Sequence, residues 1–329
     1  MLCLGVVFAG FAAYVLFADN QPRDEVVNVI VQPQETMGQL QQGIRDEQVV
    51  RNPKTFEWTC RLMRFNTPKT GKYKLPAHAN NVQMVRMLRR GQHYPVSFTF
   101  NNVRTIDQFV KKVSDKFYFE PEELSTLLQD TTFLGQYGLT AQTLPAVFLP
   151  NSYQIYYDIT AQDFFERMYK EYQRFWTKER LALADSIGLT PVEVSTLASI
   201  VEEENRRPAE KAIIAGLYMN RLHKDMLLQS DPTVKFALGD FTRQRILNAD
   251  LQVDSPYNTY KYRGLPPGPI RIPEASTLDS VLHYRHHDYL YMCAKEDFSG
   301  YHNFTASSAV HAQNAARYRA ALNKRNIKR

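Results

Sequence analysis

Residues Met1 to Ala18 are apolar throughout and carry no charge, and Asp19-Asn20-Gln21-Pro22 ends the run sharply. At about 1.5 Å per residue such a run is near the lower limit for crossing a bilayer, and it is too uniformly apolar for a surface helix. It predicts a transmembrane signal anchor over residues 1–18, ahead of a cleaved signal peptide, because Leu16-Phe17-Ala18 makes a poor cleavage site. Beyond it the apolar period switches between two and 3.6. Val26 to Val31 reads as a strand, Thr36 with Gln39 as a capping box opening a helix to about Ile44, and Asn52-Pro53 as a second helix start reaching about Phe65. Lys72 to Leu75 returns as a strand, and Asn81 to Arg90 is a basic amphipathic helix stopped by Gly91. This β-α-α-β order over residues 24–92 predicts a small module similar to the LysM glycan-binding module. Residues 93–157 repeat a β-α-α outline, with a strand from Tyr94 to Phe100 and helices starting at Thr105 and Pro121.

From 158 to 329 the period is mainly helical. Thr160 caps a long helix whose Phe164, Phe165, Met168, Tyr172, Phe175 and Trp176 form a core stripe, and Gly188 ends it. Thr190, Pro191 and Glu193 then give a strong helix start, followed by Val194, Leu197, Ile200, Val201 and Glu204 at helical spacing. Helices are expected over Pro208 to His223, from Asp231-Pro232, over Glu274 to Arg285, and over Ser308 to Ile327. Short strands are expected at Tyr289 to Cys293 and from His302, and the Pro-, Gly-, Tyr- and Asn-rich run Ser255 to Ile272 reads as a fixed irregular loop. The fold class is α+β: a small LysM-like βααβ module, then a mainly helical catalytic domain with short strands.

One helix brings carboxylates into its own apolar stripe. At about 100° per residue, Glu203 points away from that stripe, Glu202 falls on its flank and Glu204 falls inside it. A carboxyl group beside or within apolar surface has a raised pKa, as a general acid near neutral pH requires. A run of three glutamates at a helix end is commonly a solvated face. That account suits Glu203 and fails for Glu204. Geometry leaves Glu202 and Glu204 both open as the acid.

Composition narrows the classes. A chain of 329 residues with 44% apolar content can hold two folded domains, and its net charge of +6 suits an anionic polymer or a membrane surface. The charge is spread out, without a block built for nucleic acid. Cys60 and Cys293 are far apart and are expected to remain thiols, and no spacing among the cysteines suits a metal. His302 and His311 lack a third ligand at suitable spacing and are expected to be hydrogen-bonding histidines. No phosphate-binding loop, nucleophile elbow or dinucleotide fingerprint occurs, so no cofactor and no metal is expected.

The segments LASIVEEEN (197–205), AGLYMNRL (215–222), LLQSDPTV (227–234), YNTYKYRGLPPGPI (257–270) and HNFTAS (302–307) resemble, in order and approximate spacing, the MltG/YceG family of membrane-anchored endolytic murein transglycosylases. The resemblance implies non-hydrolytic cleavage of the bond between N-acetylmuramic acid and N-acetylglucosamine. Its V-E-x-E motif maps the catalytic glutamate onto Glu202, with Glu204 as a supporting carboxylate. Asn220, Gln229, Ser230, Asp231, Tyr257, Asn258 and His302 would orient the acid or hold the sugars, with Tyr257, Asn258 and Tyr260 in one wall of a glycan cleft. It further implies that the bulk of the chain lies outside the cytoplasmic membrane, with peptidoglycan strands as substrate and cell-wall synthases as partners. One position departs from the family pattern: Phe148-Leu149-Pro150-Asn151-Ser152-Tyr153 carries Asn151 where the family has an aspartate, and asparagine cannot act as a base. A non-enzymatic peptidoglycan-binding scaffold is the competing expectation.

Overall fold

In this computed structural model the described residues are 2–205, 207–243 and 246–325. The expected end of the last helix at Ile327 lies outside them. The chain forms two compact units, one of residues 1–99, 111–123 and 152–163, the other of 100–110, 124–151 and 164–329, so the 93–157 stretch contributes to both.

The first unit begins with α1 (Leu2–Phe17), 16 residues without a charge. Among the described residues no helix is long and apolar enough to cross a membrane. Then come β1 (Val27–Val31), α2 (Met37–Asp46), α3 (Pro53–Leu62), β2 (Gly71–Leu75) and α4 (Asn81–Arg90). The expected β-α-α-β order closes by antiparallel pairing of β1 with β2, in register from Val27 opposite Leu75 to Val31 opposite Gly71. Strand alternation turns Val27, Val29 and Val31 inward with Tyr73 and Leu75, over Leu40, Ile44 and Phe56 from the two helices. Capping boxes form at Thr36 with Gln39 and at Asn80 with Gln83, and Gly91 ends α4 in the left-handed conformation. Helix α3 stops at Leu62, short of the expected Phe65. Arg64 has φ of 52°, which turns the chain, and Phe65 packs into the core from beyond the helix.

Next in the chain are β3 (Val96–Phe100), α5 (Ile106–Ser114), α6 (Pro121–Gln129), α7 (Thr131–Gly135) and β4 (Asn151–Ile155), with β3 paired to β4 and the exposed Asn151 opening β4. The second unit is built mainly from α8 (Ala161–Phe175), α9 (Lys178–Ser186), α10 (Pro191–Glu204), α11 (Pro208–His223), α12 (Asp231–Leu238) and α13 (Ala275–Leu282). The antiparallel pair β5 (Tyr291–Ala294) and β6 (His302–Thr305) and the last helix, α14 (Ser308–Lys324), complete it.

Helix α10 is the core of this unit. It starts where the sequence predicts, with Thr190 and Glu193 exchanging both bonds of a capping box. It departs from the prediction in being enclosed on every side, since each residue from Val194 to Glu202 is buried. A helix so enclosed must satisfy its own polar groups. Ser195 and Thr196 donate to the carbonyls of Pro191 and Val192, and Ser199 donates to Thr196 while accepting from the Ile270 N–H. The irregular run before α13 packs as closely: at Gly268 the Gln142 carbonyl oxygen lies 1.9 Å from where a Cβ would stand, so no side chain fits there.

Candidate active site

The three glutamates that end α10 leave it in three directions. Glu202 turns towards α11 and α13. Its carboxyl accepts from the Glu274 N–H at 2.8 Å and the Thr277 hydroxyl at 2.7 Å, with Arg271 Nη2 at 3.3 Å and Lys211 Nζ at 3.9 Å. All four are donors, and the side chain is only 9% exposed. Nearby, burial and the Glu202 charge raise the Glu274 carboxyl above its ordinary value. Glu203 was expected on the solvated face. It is instead gripped by Arg104 through two bonds of 2.9 and 2.8 Å and by Arg271 Nη1 at 2.7 Å. Burial works against the Glu203 carboxylate, but the two guanidinium groups outweigh it and hold its pKa below the usual value.

Glu204 faces a cavity of about 390 Å³, whose walls include Tyr218, Arg221, Gln229, Asp231, Tyr260 and His311. Its Oε1 accepts from both the Tyr218 hydroxyl, at 2.7 Å, and the Ser230 hydroxyl, at 2.6 Å. Its Oε2 has no hydrogen-bond partner among the described residues. Burial pushes the Glu204 carboxyl above the usual carboxylate range, against the pull of the Ser230 and Tyr218 hydroxyls, and the nearby Asp231 charge adds to the rise. Across the cavity, Asp231 accepts from the Tyr260 hydroxyl at 2.6 Å; burial and this bond raise the Tyr260 pKa. The cavity thus holds a carboxyl group whose pKa is raised, steadied on one oxygen by two hydroxyls.

The expected site residues divide between the cavity and its framework. Gln229 and Asp231 line the cavity, and Ser230, itself fully buried, reaches Glu204. His302 lies behind: its N–H and Nδ1 are 2.9 and 2.8 Å from the two oxygens of the buried Glu210, which also accepts from Asn205. Asn220 donates its amide to the carbonyls of His287 and Tyr289 and fixes the approach to β5. Asn258 is fully buried. Its amide donates to the carbonyls of Leu251 and Val253 while its oxygen accepts from the Tyr260 N–H, so it shapes the loop that carries Tyr260. Tyr257 packs its ring on Phe236, 4.6 Å between centroids, as part of the core. In the wall expected from Tyr257, Asn258 and Tyr260, Tyr260 alone borders the cavity.

Tyr218 and Arg221 escaped the sequence reading as site residues. Tyr218 has the spacing of a core residue and is 2% exposed, yet its hydroxyl ends on Glu204. Arg221 is a buried cation that donates to the carbonyls of Leu227, Leu228 and Leu290, drawing the 227–229 turn onto α11 beside β5. The lone charge in the otherwise uncharged stretch AGLYMNRL was the available signal.

Fold and site together define a class: a helical α+β protein with a carboxyl group of raised pKa in a polar, aromatic-edged cavity. The YceG-like family profile matches residues 29–317, and the chain belongs to that family. It is 26% identical over 319 residues to a protein of Bacillus subtilis (strain 168) named endolytic murein transglycosylase, covering 91% of this chain and 86% of the relative. A protein of the same name from Streptococcus pneumoniae (strain D39) is 26% identical over 276 residues, covering 75% of this chain and half of the relative. Among solved structures, a YceG-like protein of Listeria monocytogenes is similar with a TM-score of 0.60 at 26% identity, over 88% of this chain and 99% of that one.

Proposed function

We propose that the protein is a peptidoglycan lytic transglycosylase whose general acid is Glu204. The observation that carries this reading is the setting of that carboxyl group: two hydroxyls on Oε1, a place in the cavity wall, and a pKa raised chiefly by burial. Protonated Glu204 gives its proton to the glycosidic oxygen as the bond to C1 of the muramyl residue breaks and positive charge develops on the sugar. The Tyr218 and Ser230 hydroxyls stabilise the carboxylate this leaves. That carboxylate then takes the proton of the muramyl O6 hydroxyl, whose oxygen closes on C1. The products are a 1,6-anhydro end and a new 4-hydroxyl on the departing N-acetylglucosamine, and Glu204 is protonated again. No water is consumed and no second carboxylate is required. Asp231, held by Tyr260, positions the sugar and keeps negative charge near Glu204.

Glu202, which the family motif singled out, is unsuited to the acid's role. Four donors surround it, and it reaches the Arg271 and Lys211 cations instead of the cavity. Its work is to tie α10 to α11 and α13, and so to hold the helix end that presents Glu204. The fuller reading places the enzyme at the outer face of the cytoplasmic membrane, held by residues 1–18, trimming nascent strands beside cell-wall synthases; the βααβ module would bind glycan there. The apolar α1 supports the membrane placement, and the name of the relatives supports a murein-cleaving enzyme.

Mass spectrometry of muropeptides from peptidoglycan incubated with the protein is the test. The wild type and Glu202→Gln yield anhydro-muropeptides, and Glu204→Gln yields none. Loss with Glu202→Gln alone would return the acid to Glu202. Reducing muramyl ends would mean hydrolysis, with Asp231 as second carboxylate, and no product from the wild type would favour the scaffold.

A further inference from the structure

The first unit carries an apolar surface that the proposed reaction leaves unused. On α3, Trp58 and Leu62 lie four residues apart on one helix face and are 59% and 68% exposed, while Phe56, Thr59 and Cys60 turn into the core. Helix α1 packs against α3 and α4, and a groove of about 680 Å³ separates Phe11, Val15 and Leu16 from Trp58 and Leu62. Val6, Val7, Phe11, Tyr14 and Phe17 of α1 are all more than half exposed. Scattered exposed apolar side chains are ordinary, but a contiguous set of large ones marks a contact surface.

The base of α1 is fixed to the module. Asn81 donates its amide to the Val15 carbonyl at 2.8 Å and accepts from the Asn20 amide at 2.7 Å, while the N–H groups of Asn20 and Gln21 both donate to the Ala79 carbonyl. Whatever takes up the apolar faces of α1 therefore meets the outer face of α3 as well. The charges around that face select the occupant. Arg51, Lys54, Arg61 and Arg64 are exposed along and beside α3, and its one acid, Glu57, is tied to Arg45. Arg61 lines the apolar groove itself, with a stem long enough to keep its head in a polar layer. An apolar face with a basic rim and a tryptophan at its edge fits the boundary between anionic headgroups and acyl chains. A second copy of the chain would bring the same positive rim against itself.

We propose that the shared face of α1 and α3 is a lipid-docking surface, with Trp58 and Leu62 seated at the headgroup–acyl boundary of an anionic bilayer. The α3 face adds apolar depth at the C-terminal end of α1, and it fixes the βααβ module at the membrane surface instead of on a loose tether. The inference rests on the membrane placement proposed above and is independent of the chemistry at Glu204.

The chain has two tryptophans, Trp58, exposed, and Trp176, which is 6% exposed and in the core of the second unit. The difference between the fluorescence of the full chain and its Trp58→Ser variant therefore isolates Trp58, at a position where substitution leaves the core intact. In phosphatidylglycerol–phosphatidylethanolamine vesicles, bromine near the top of the acyl chains should cut this difference signal roughly twofold or more, and iodide should fail to quench it. A second variant, Leu62→Asp, should restore quenching by iodide. If the protein floats with vesicles while Trp58 stays open to iodide and blind to bromine, the docking face is overturned and the α1 anchor stands. If shielding of Trp58 follows protein density and not brominated lipid, a second copy covers the face, which also overturns it. If the protein does not float at all, the membrane placement beneath the inference falls.

Discussion

Two carboxyl groups two residues apart on one helix lead opposite chemical lives. Around Glu202 the protein gathers two cations, a backbone N–H and a hydroxyl, all donors to a carboxylate. Around Glu204 it provides two neutral hydroxyls on one oxygen, a cavity at the other, and another carboxylate, Asp231, close by. The first environment makes its carboxyl a structural tie between helices. The second raises the pKa of its carboxyl and sets it at the wall of a cavity. Neither propensity nor residue type separates them, since both are glutamates in the last turn of α10. What separates them is which neighbouring element each meets.

The sharpest way to break this contrast is to remove each carboxyl in turn. Glu204→Gln keeps an acceptor for Tyr218 and Ser230 but has no proton to transfer, and loss of a general acid costs about 10²- to 10⁴-fold in rate. Its turnover of peptidoglycan should fall within or beyond that range while its melting temperature stays near that of the wild type. Glu202→Ala should do the reverse. Leaving Arg271 and Lys211 buried beside an emptied partner should cost about 3–5 kcal/mol of stability, read from denaturant unfolding, with anhydro product still formed by the fraction that remains folded. If the two variants traded phenotypes, the assignment of roles would be inverted.

That contrast also marks how far the sequence could be read. The start of α10 and its capping box follow from local spacing, as do the βααβ order and the boundaries of α4. The choice between Glu202 and Glu204 does not, because a helix buried on all sides has no solvent face from which to count. The partners that decide it, Arg271 and Thr277, arrive on a segment about seventy residues later, and Arg104, which holds Glu203, about a hundred earlier. The place of Asn258 was hidden for a related reason: in a Pro- and Gly-rich loop an asparagine serves the backbone as readily as a ligand, and only the fold shows that Leu251 and Val253 accept its amide.

A finer test moves the proton affinity of Glu204 without removing it. The Tyr218 and Ser230 hydroxyls favour the carboxylate, so Tyr218→Phe or Ser230→Ala should keep Glu204 protonated to higher pH. The alkaline limb of the kcat/KM profile should then move up in pH, and the maximal rate should fall because the conjugate base is less well stabilised. Asp231 acts with the opposite sign. Its charge raises the Glu204 pKa, so Asp231→Asn should move the same limb down. Equal shifts for all three variants would mean that the limb reports some other group.

The smallest expected effect is on the pH dependence of stability, where Glu203 and Glu204 pull in opposite directions. Glu203, held below its ordinary value by Arg104 and Arg271, contributes stability that is complete above its unfolded pKa and lost as pH falls through its folded one. Glu204, raised chiefly by burial, contributes in the protonated form: its share is complete below its unfolded pKa and lost as pH climbs towards the folded one. Urea unfolding across about pH 3–8, a range that brackets ordinary carboxylates, should therefore give a weak rise and then a weak decline for these two groups. Glu204→Gln should remove the decline and keep the rise, whereas Arg104→Met should weaken the rise and keep the decline. A Glu204→Gln protein whose decline is unchanged would show that the proton stored in the cavity belongs to another residue, and the burial around Glu204 would lose its meaning for catalysis.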